Sequence, residues 1–195
     1  MPGDRSAALA GAAVGLAYLA VRTGAGGRVD DAVTATLAHG RGPAVDRLVS
    51  AVTDVGSIYG AAGTSTALAL SGRGALATEV AGAAGLAWVG AQATKPLLPR
   101  HRPYETGTAV RLVSRPAGTS WPSGHAAVAA AVATTVAPGT SRSTRLVLVG
   151  AVAGVGLSRL YVGVHHLTDV VAGVGVGVLA ARAARACARA VRRRG

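Results

Sequence analysis

Phenylalanine is absent from this chain, and lysine and cysteine occur once each, as Lys95 and Cys187. A lone cysteine excludes an intramolecular disulfide and any cysteine-built metal cage. Charge is scarce as well. Only 14% of the residues are Asp, Glu, Lys or Arg while 50% are hydrophobic, too apolar a balance for an ordinary soluble domain of 195 residues. Acidic residues are the scarcer kind, 8 against 20 basic ones, which leaves a net charge of +12. Such an excess raises nucleic acid as a partner, but the basic residues gather on no amphipathic face. They punctuate the ends of apolar runs, where a membrane protein keeps them, so no nucleic-acid partner is expected.

What remains is mostly Ala, Val, Leu and Gly. Small side chains of this kind let transmembrane helices approach closely, since lipid offers no hydrophobic drive for helices to associate. Gly11/Gly15, Gly56/Gly60, Gly150/Gly154 and Gly173/Gly177 all have the small-xxx-small spacing. Among 28 glycines several such pairs arise by chance, so they read as packing aids and nothing sharper.

Runs free of charged residues and histidine cover Ser6–Val21, Val55–Gly72, Val80–Thr94, Ala126–Ser141, Leu146–Ser158 and Val170–Ala181. A helix needs about 20 residues to cross a ~30 Å hydrocarbon core, so the shorter runs must recruit polar residues at the interfaces. The expectation is an all-α, integral-membrane bundle of about six transmembrane helices, one domain over residues 1–195. The first run follows Arg5 as a signal peptide would, but no small-x-small cleavage site precedes Arg22, and an uncleaved first span is expected.

Between the first two runs, Arg22–Asp54 reads as a turn and a short interfacial helix broken at Pro43. The stretch Lys95–Ser123 holds five of the eight prolines and fits no helical pattern. A loop of that length is usually functional or disordered. The basic tail, about 182–195, carries six arginines and is expected in the cytoplasm. Six spans counted back from it set both long polar stretches outside, so the loop carrying active-site residues is expected to be extracytoplasmic in a multi-pass cell-membrane protein.

Three polar clusters fall at that one face. The first is Lys95-Pro-Leu-Leu-Pro-Arg-His-Arg102-Pro103, the second Trp121-Pro122-Ser123-Gly124-His125, and the third runs from Ser158-Arg159 through His165-His166 to Asp169. Cations beside free helix amides make an anion site. A histidine oriented by a carboxylate makes a nucleophile or a base. Phosphoryl transfer needs both, charge neutralised around the moving oxygens and a positioned attacking atom.

In this order, Lys-x6-Arg-Pro, Pro-Ser-Gly-His and Ser-Arg-x5-His-x3-Asp resemble the type 2 phosphatidic acid phosphatase family, whose superfamily also holds class A bacterial acid phosphatases and vanadium haloperoxidases. The motifs span Lys95–Asp169, and the six-run layout is similar to the membrane branch. The resemblance implies a lipid phosphatase acting on a phosphomonoester or diphosphate, phosphatidate-like or polyprenyl (undecaprenyl-type), through a phosphohistidine and with no metal or cofactor. It implies that His165 attacks phosphorus, that Asp169 fixes its tautomer, and that His125 protonates the leaving oxygen and then activates water. Lys95, Arg102, Ser123, the Gly124 amide and Arg159 would hold the phosphate oxygens. The single lysine falls on the family's lysine position, which in an arginine-using chain points to a need for a compact ammonium.

Each feature also has a plainer reading. Lys95, Arg102 and Arg159 taken singly could be interfacial anchors that snorkel to headgroups, and Ser123 could be an ordinary helix N-cap. His166 lies three residues before Asp169 and could face it as well as His165 does; the x5 spacing after Arg159 selects His165 by resemblance only. His39 and His101 read as loop histidines. Two rival functions stand beside the phosphatase. A non-catalytic anion transporter or lipid-binding membrane protein would need the cations but not the histidines. A vanadate-dependent haloperoxidase would share the anion cradle but not the apolar spans. The expected partners are the bilayer and a lipid phosphate; homo-oligomerisation stays open.

Overall fold

A backbone crossing hydrocarbon finds no water to bond, so its amides must close on its own carbonyls. Each of the six apolar runs accordingly lies on its own helix. The computed structural model describes residues 2–38 and 41–193, and the side chains of all of these except 2–4, 51, 52 and 192. Among them are eight α-helices: α1 (Pro2–Arg22), α2 (Gly27–Ala38), α3 (Pro43–Val52), α4 (Ile58–Leu70), α5 (Gly74–Thr94), α6 (Gly124–Val136), α7 (Arg142–Tyr161) and α8 (Leu167–Arg192). No strand occurs among the described residues, and the fold is an all-α membrane bundle.

Three helices are long and apolar enough to cross a membrane unaided: Gly74–Leu97, Arg142–Tyr161 and Leu167–Val191. α1 and α2 qualify together as a pair bent by 94°. α4 and α6 have 13 residues each. At 1.5 Å per residue they rise about 20 Å, short of a ~30 Å core.

Helix starts follow local chemistry. Ser57 and Ser141 accept hydrogen bonds from the Gly60 and Thr144 amides, at 3.2 and 3.1 Å, and so cap α4 and α7. Pro43 opens α3, where its missing N–H costs nothing. The polar stretch between the first two runs therefore becomes two short helices, α2 and α3, the second opened by that proline. Lys95–Ser123 is irregular apart from short 3-10 turns at Lys95–Leu97 and Pro103–Glu105.

α8 is the central helix, with α1, α5 and α6 packed around it. Without phenylalanine the core is built from alanine: Ala83, Ala87 and Ala91 of α5 meet Ala127 and Ala131 of α6 and Ala181 of α8. The four glycine pairs differ in what they touch. A Cβ at Gly173 or Gly177 would run into the Ser123 or Ala127 carbonyl oxygen of the α6 end, whereas one at Gly11, Gly15, Gly150 or Gly154 would meet nothing within 4 Å. Only close contact of backbones lets the Ser123 amide bond to the Asp169 carbonyl at 3.0 Å, which joins the starts of α6 and α8. Gly173→Ala is expected to destabilise the protein by about 1–3 kcal/mol through overpacking. Gly11→Ala is expected to be neutral or to stabilise by up to about 1 kcal/mol through helix propensity. Thermal melting in detergent checks the contrast.

Candidate active site

α5 and α7 end, and α6 and α8 begin, at the same end of the bundle, so the three motif clusters converge there. Between them lies a cavity of about 300 Å³, lined by Lys95, Arg102, Gly124, His125, Arg159 and His165, with Gln92, Tyr59, Ser57 and otherwise apolar or small residues. Six of the eight site residues expected from the sequence therefore share one cavity. Ser123 and Asp169 are fully buried behind it.

The three cations have no carboxylate within ion-pair distance among the described residues. Instead they bond to neutral oxygens. Lys95 Nζ donates to the Thr119 carbonyl at 2.7 Å. Arg102, 1% exposed, donates to the carbonyls of Ala117, Gly118, Thr119 and Val164, so it also braces the loop that roofs the cavity. Arg159, 3% exposed, donates from Nη1 to Thr53 Oγ1 at 3.0 Å, and its Nε has no partner. Buried charge without a counter-ion is costly unless an anion completes it. The first turn of α6 adds its amides. Ser123 Oγ accepts from the Ala126 amide at 3.5 Å, and Gly124, where an added Cβ would meet nothing, leaves the backbone open to the cavity.

His165 sits in the turn between α7 and α8, with its Nδ1 3.7 Å from Asp169 Oδ2. That is an ion-pair separation, longer than a hydrogen bond. The Asp169 oxygens are occupied by other donors: Ser120 Oγ at 2.5 Å and the His166 amide at 2.8 Å on Oδ2, and Arg100 Nη1 at 2.8 Å on Oδ1. Burial holds the His165 ring down to about 3, against the pull of Asp169, so the ring is neutral at ordinary pH. His166 points away from the cavity, its Nε2 3.3 Å from the His101 carbonyl, and its backbone caps α8. His101 is exposed, and its Nδ1 is 3.8 Å from Glu105. His39 lies outside the described residues.

The turn holding His165 is fixed by the loop of the first cluster. The Tyr104 and Leu112 amides donate to the Gly163 and Val162 carbonyls at 3.3 and 3.2 Å. Gly163 has φ +75°, and a Cβ there would come within 2.5 Å of the Val110 carbonyl oxygen, so only glycine fits.

Four residues near the site carry no signal in the sequence. Arg100 bridges two buried carboxylates, Asp169 and, at 2.6 Å, Asp30 of α2. Asp30 in turn accepts from the Thr168 amide at 3.0 Å and from its hydroxyl at 2.8 Å. Ser120 belongs to the same network. Asp54 Oδ1 lies 3.3 Å from His125 Nε2. These partners come from distant parts of the chain, where no spacing rule reaches.

Arg100→Met leaves two buried carboxylates without their cation and is expected to cost about 3–5 kcal/mol. Arg115→Met breaks an exposed pair with Glu105, 3.2 Å apart, and is expected to cost no more than about 1 kcal/mol. Thermal melting in detergent, with both variants run against the parent, reads the difference.

Comparison with known proteins supplies the lineage. No curated protein sequence matches the chain. Two solved structures match its fold. Aquifex aeolicus LpxE superposes with a TM-score of 0.73 at 22% identity, over 81% of this chain and 95% of its own. The first transmembrane PAP2 type phosphatidylglycerolphosphate phosphatase from Bacillus subtilis superposes with a TM-score of 0.75 at 21% identity, over 95% of this chain and 97% of its own. The family model described as the PAP2 superfamily matches residues 76–193, more than half of the chain and all three motif clusters. The chain belongs to the PAP2 superfamily.

Proposed function

We propose that this protein is a phosphoric ester hydrolase of the membrane, a lipid phosphatase that passes phosphate to His165 and then to water. One observation carries the reading: three cations without carboxylate partners share a cavity with two histidines. A non-catalytic anion binder needs the cations but gives neither histidine a task. A lipid is favoured as substrate because an apolar groove of about 250 Å³ between α4, α6 and α7 shares Val128 with the cavity. A larger groove of about 650 Å³ on the other side of α7 shares no lining residue with it. The Bacillus subtilis neighbour is by name a lipid phosphatase, and a lipid phosphomonoester or diphosphate is the substrate class proposed here, in a single domain over residues 1–195.

Lys95, Arg102, Arg159 and the α6 amides hold the phosphate oxygens and neutralise them in place of a divalent ion. Neutral His165 attacks phosphorus through Nε2, forming the P–N bond as the P–O bond to the lipid breaks. His125 gives a proton to the departing oxygen. Asp169 balances the charge that grows on the His165 ring. Water then attacks the phosphohistidine as His125 takes its proton, the P–N bond breaks, and its electron pair returns to His165. Ser123 acts from behind the cavity by fixing the first turn of α6.

His165→Ala is expected to abolish both turnover and an acid-labile phosphoenzyme, while His166→Ala keeps both, since its backbone amide still donates to Asp169. With an ester of a good leaving group, phosphoenzyme formation is expected to persist at pH 5, where a free imidazole is mostly protonated. The sign follows from the lowered His165 value: the nucleophilic form is lost only as the pH approaches about 3. Radiolabelled-phosphate trapping measures all three outcomes. Loss with His166→Ala and survival with His165→Ala would reverse the assignment.

The catalytic face is proposed to be extracytoplasmic and the C-terminus cytoplasmic, supported by the arginines at 182, 185, 189 and 192 at the end of α8. Cys187 is exposed and reports on this directly. A membrane-impermeant maleimide is expected to miss it in intact cells and label it after permeabilisation. In a Cys187→Ser background, Thr119→Cys is expected to be labelled from outside. The opposite pattern reverses the orientation.

A further inference from the structure

A positively charged His125 would stand in a cavity whose other ionised side chains are Lys95, Arg102 and Arg159, with neutral His165 opposite. Burial, and then the charges of Arg159 and Arg102, oppose a proton on that ring. Yet a ring that protonates a leaving oxygen has to carry one. No carboxylate lines the cavity among the described residues.

Asp54 answers this from the rim. It belongs to a 3-10 turn, Thr53–Gly56, between α3 and α4, and its Oδ1 is 3.3 Å from His125 Nε2. Its side chain is 76% exposed, so packing does not require it. The turn itself is fixed from below. Thr53 Oγ1 lies 2.9 Å from Ser158 Oγ and accepts from Arg159 Nη1 at 3.0 Å, so the carboxylate is held at a set distance from the anion site. Gly56 seals the arrangement, since a Cβ there would strike Val155 and the His125 carbonyl. With Nε2 on Asp54, Nδ1 is the nitrogen left for the substrate.

We propose that Asp54 is the carboxylate partner of His125, a positioning residue that strengthens its ring's hold on the proton delivered in the first step, and that the pair fits the site to phosphomonoesters of aliphatic alcohols. This rests on the lipid phosphatase reading above. In the first step Nδ1–H passes its proton to the ester oxygen as that oxygen takes the electron pair of the breaking P–O bond. In the second, Nδ1 accepts a proton from the attacking water, and Asp54 again faces an imidazolium. An alkoxide is a much stronger base than a departing phosphate or nitrophenolate. A supported acid is therefore needed for alcohols and is nearly idle for the others. The exposed carboxylate also repels the extra negative charge that a diphosphate brings to the leaving side.

The test uses the full-length protein in detergent with decyl phosphate and 4-nitrophenyl phosphate as probes. Asp54→Asn is expected to slow the decyl ester about 10²-fold and the nitrophenyl ester less than about threefold, with Asp54→Glu recovering part of the alkyl activity. A structural defect lowers both esters alike, so equal losses, or no loss on either, overturn the pairing and leave the phosphatase reading standing. A parent protein that hydrolyses neither probe nor any lipid phosphate overturns that reading instead.

Discussion

Asp169 is fully buried at the start of α8, and a carboxylate in such a place is tolerable only when its oxygens are filled and its charge is met. Arg100 meets the charge and divides its guanidinium between Asp169 and Asp30. Ser120 and the His166 amide fill the remaining oxygen. Much of the catalytic end is tied through this one group. Asp30 brings α2 onto the start of α8 through Thr168, and the Ser120 amide bonds back to the Arg100 carbonyl at 2.9 Å. The Asp169 carbonyl receives the Ser123 amide and so fixes where α6 begins. The residue that faces His165 is also the joint between two helices and a loop.

The opposite charge balance governs the cavity in front of it. Behind the cavity two carboxylates, Asp169 and Asp30, share the one cation Arg100, while Lys95, Arg102 and Arg159 have no carboxylate within ion-pair distance among the described residues. Two neighbouring regions thus differ in what they lack: the inner one is closed by ion pairs, the outer one waits for an anion. His165 sits at the boundary, 3.7 Å from the carboxylate and lining the cavity. Its burial keeps it neutral, as the role proposed for it requires.

Small residues make this geometry reachable. α8 approaches the α6 start closely enough for a backbone hydrogen bond because Gly173 and Gly177 present no side chain there. An alanine core between α5, α6 and α8 keeps the rest of the contact equally tight. α7 stands further off, and apolar grooves flank it on both sides; one of them shares Val128 with the cavity. Close packing on one side and open grooves on the other suit a rigid catalytic end beside a place for a lipid chain.

The helical, membrane-bound character and the polar clusters were legible in the sequence, because apolar runs, caps and motif spacing are local properties. Ser123 as an N-cap and the break at Pro43 belong to the same class. Motif spacing also picked His165 over His166, but only through resemblance; the cavity separates them by what each ring faces. Tertiary structure alone decided the rest. Nothing local distinguishes Gly173 from Gly11, since what differs is the neighbour across the helix interface. Nothing local marks Asp30, Arg100 or Asp54, which lie far along the chain from Asp169 and His125. Sequence fixes which groups are charged; the pairing of those charges depends on distance through space, and only the folded bundle sets that distance.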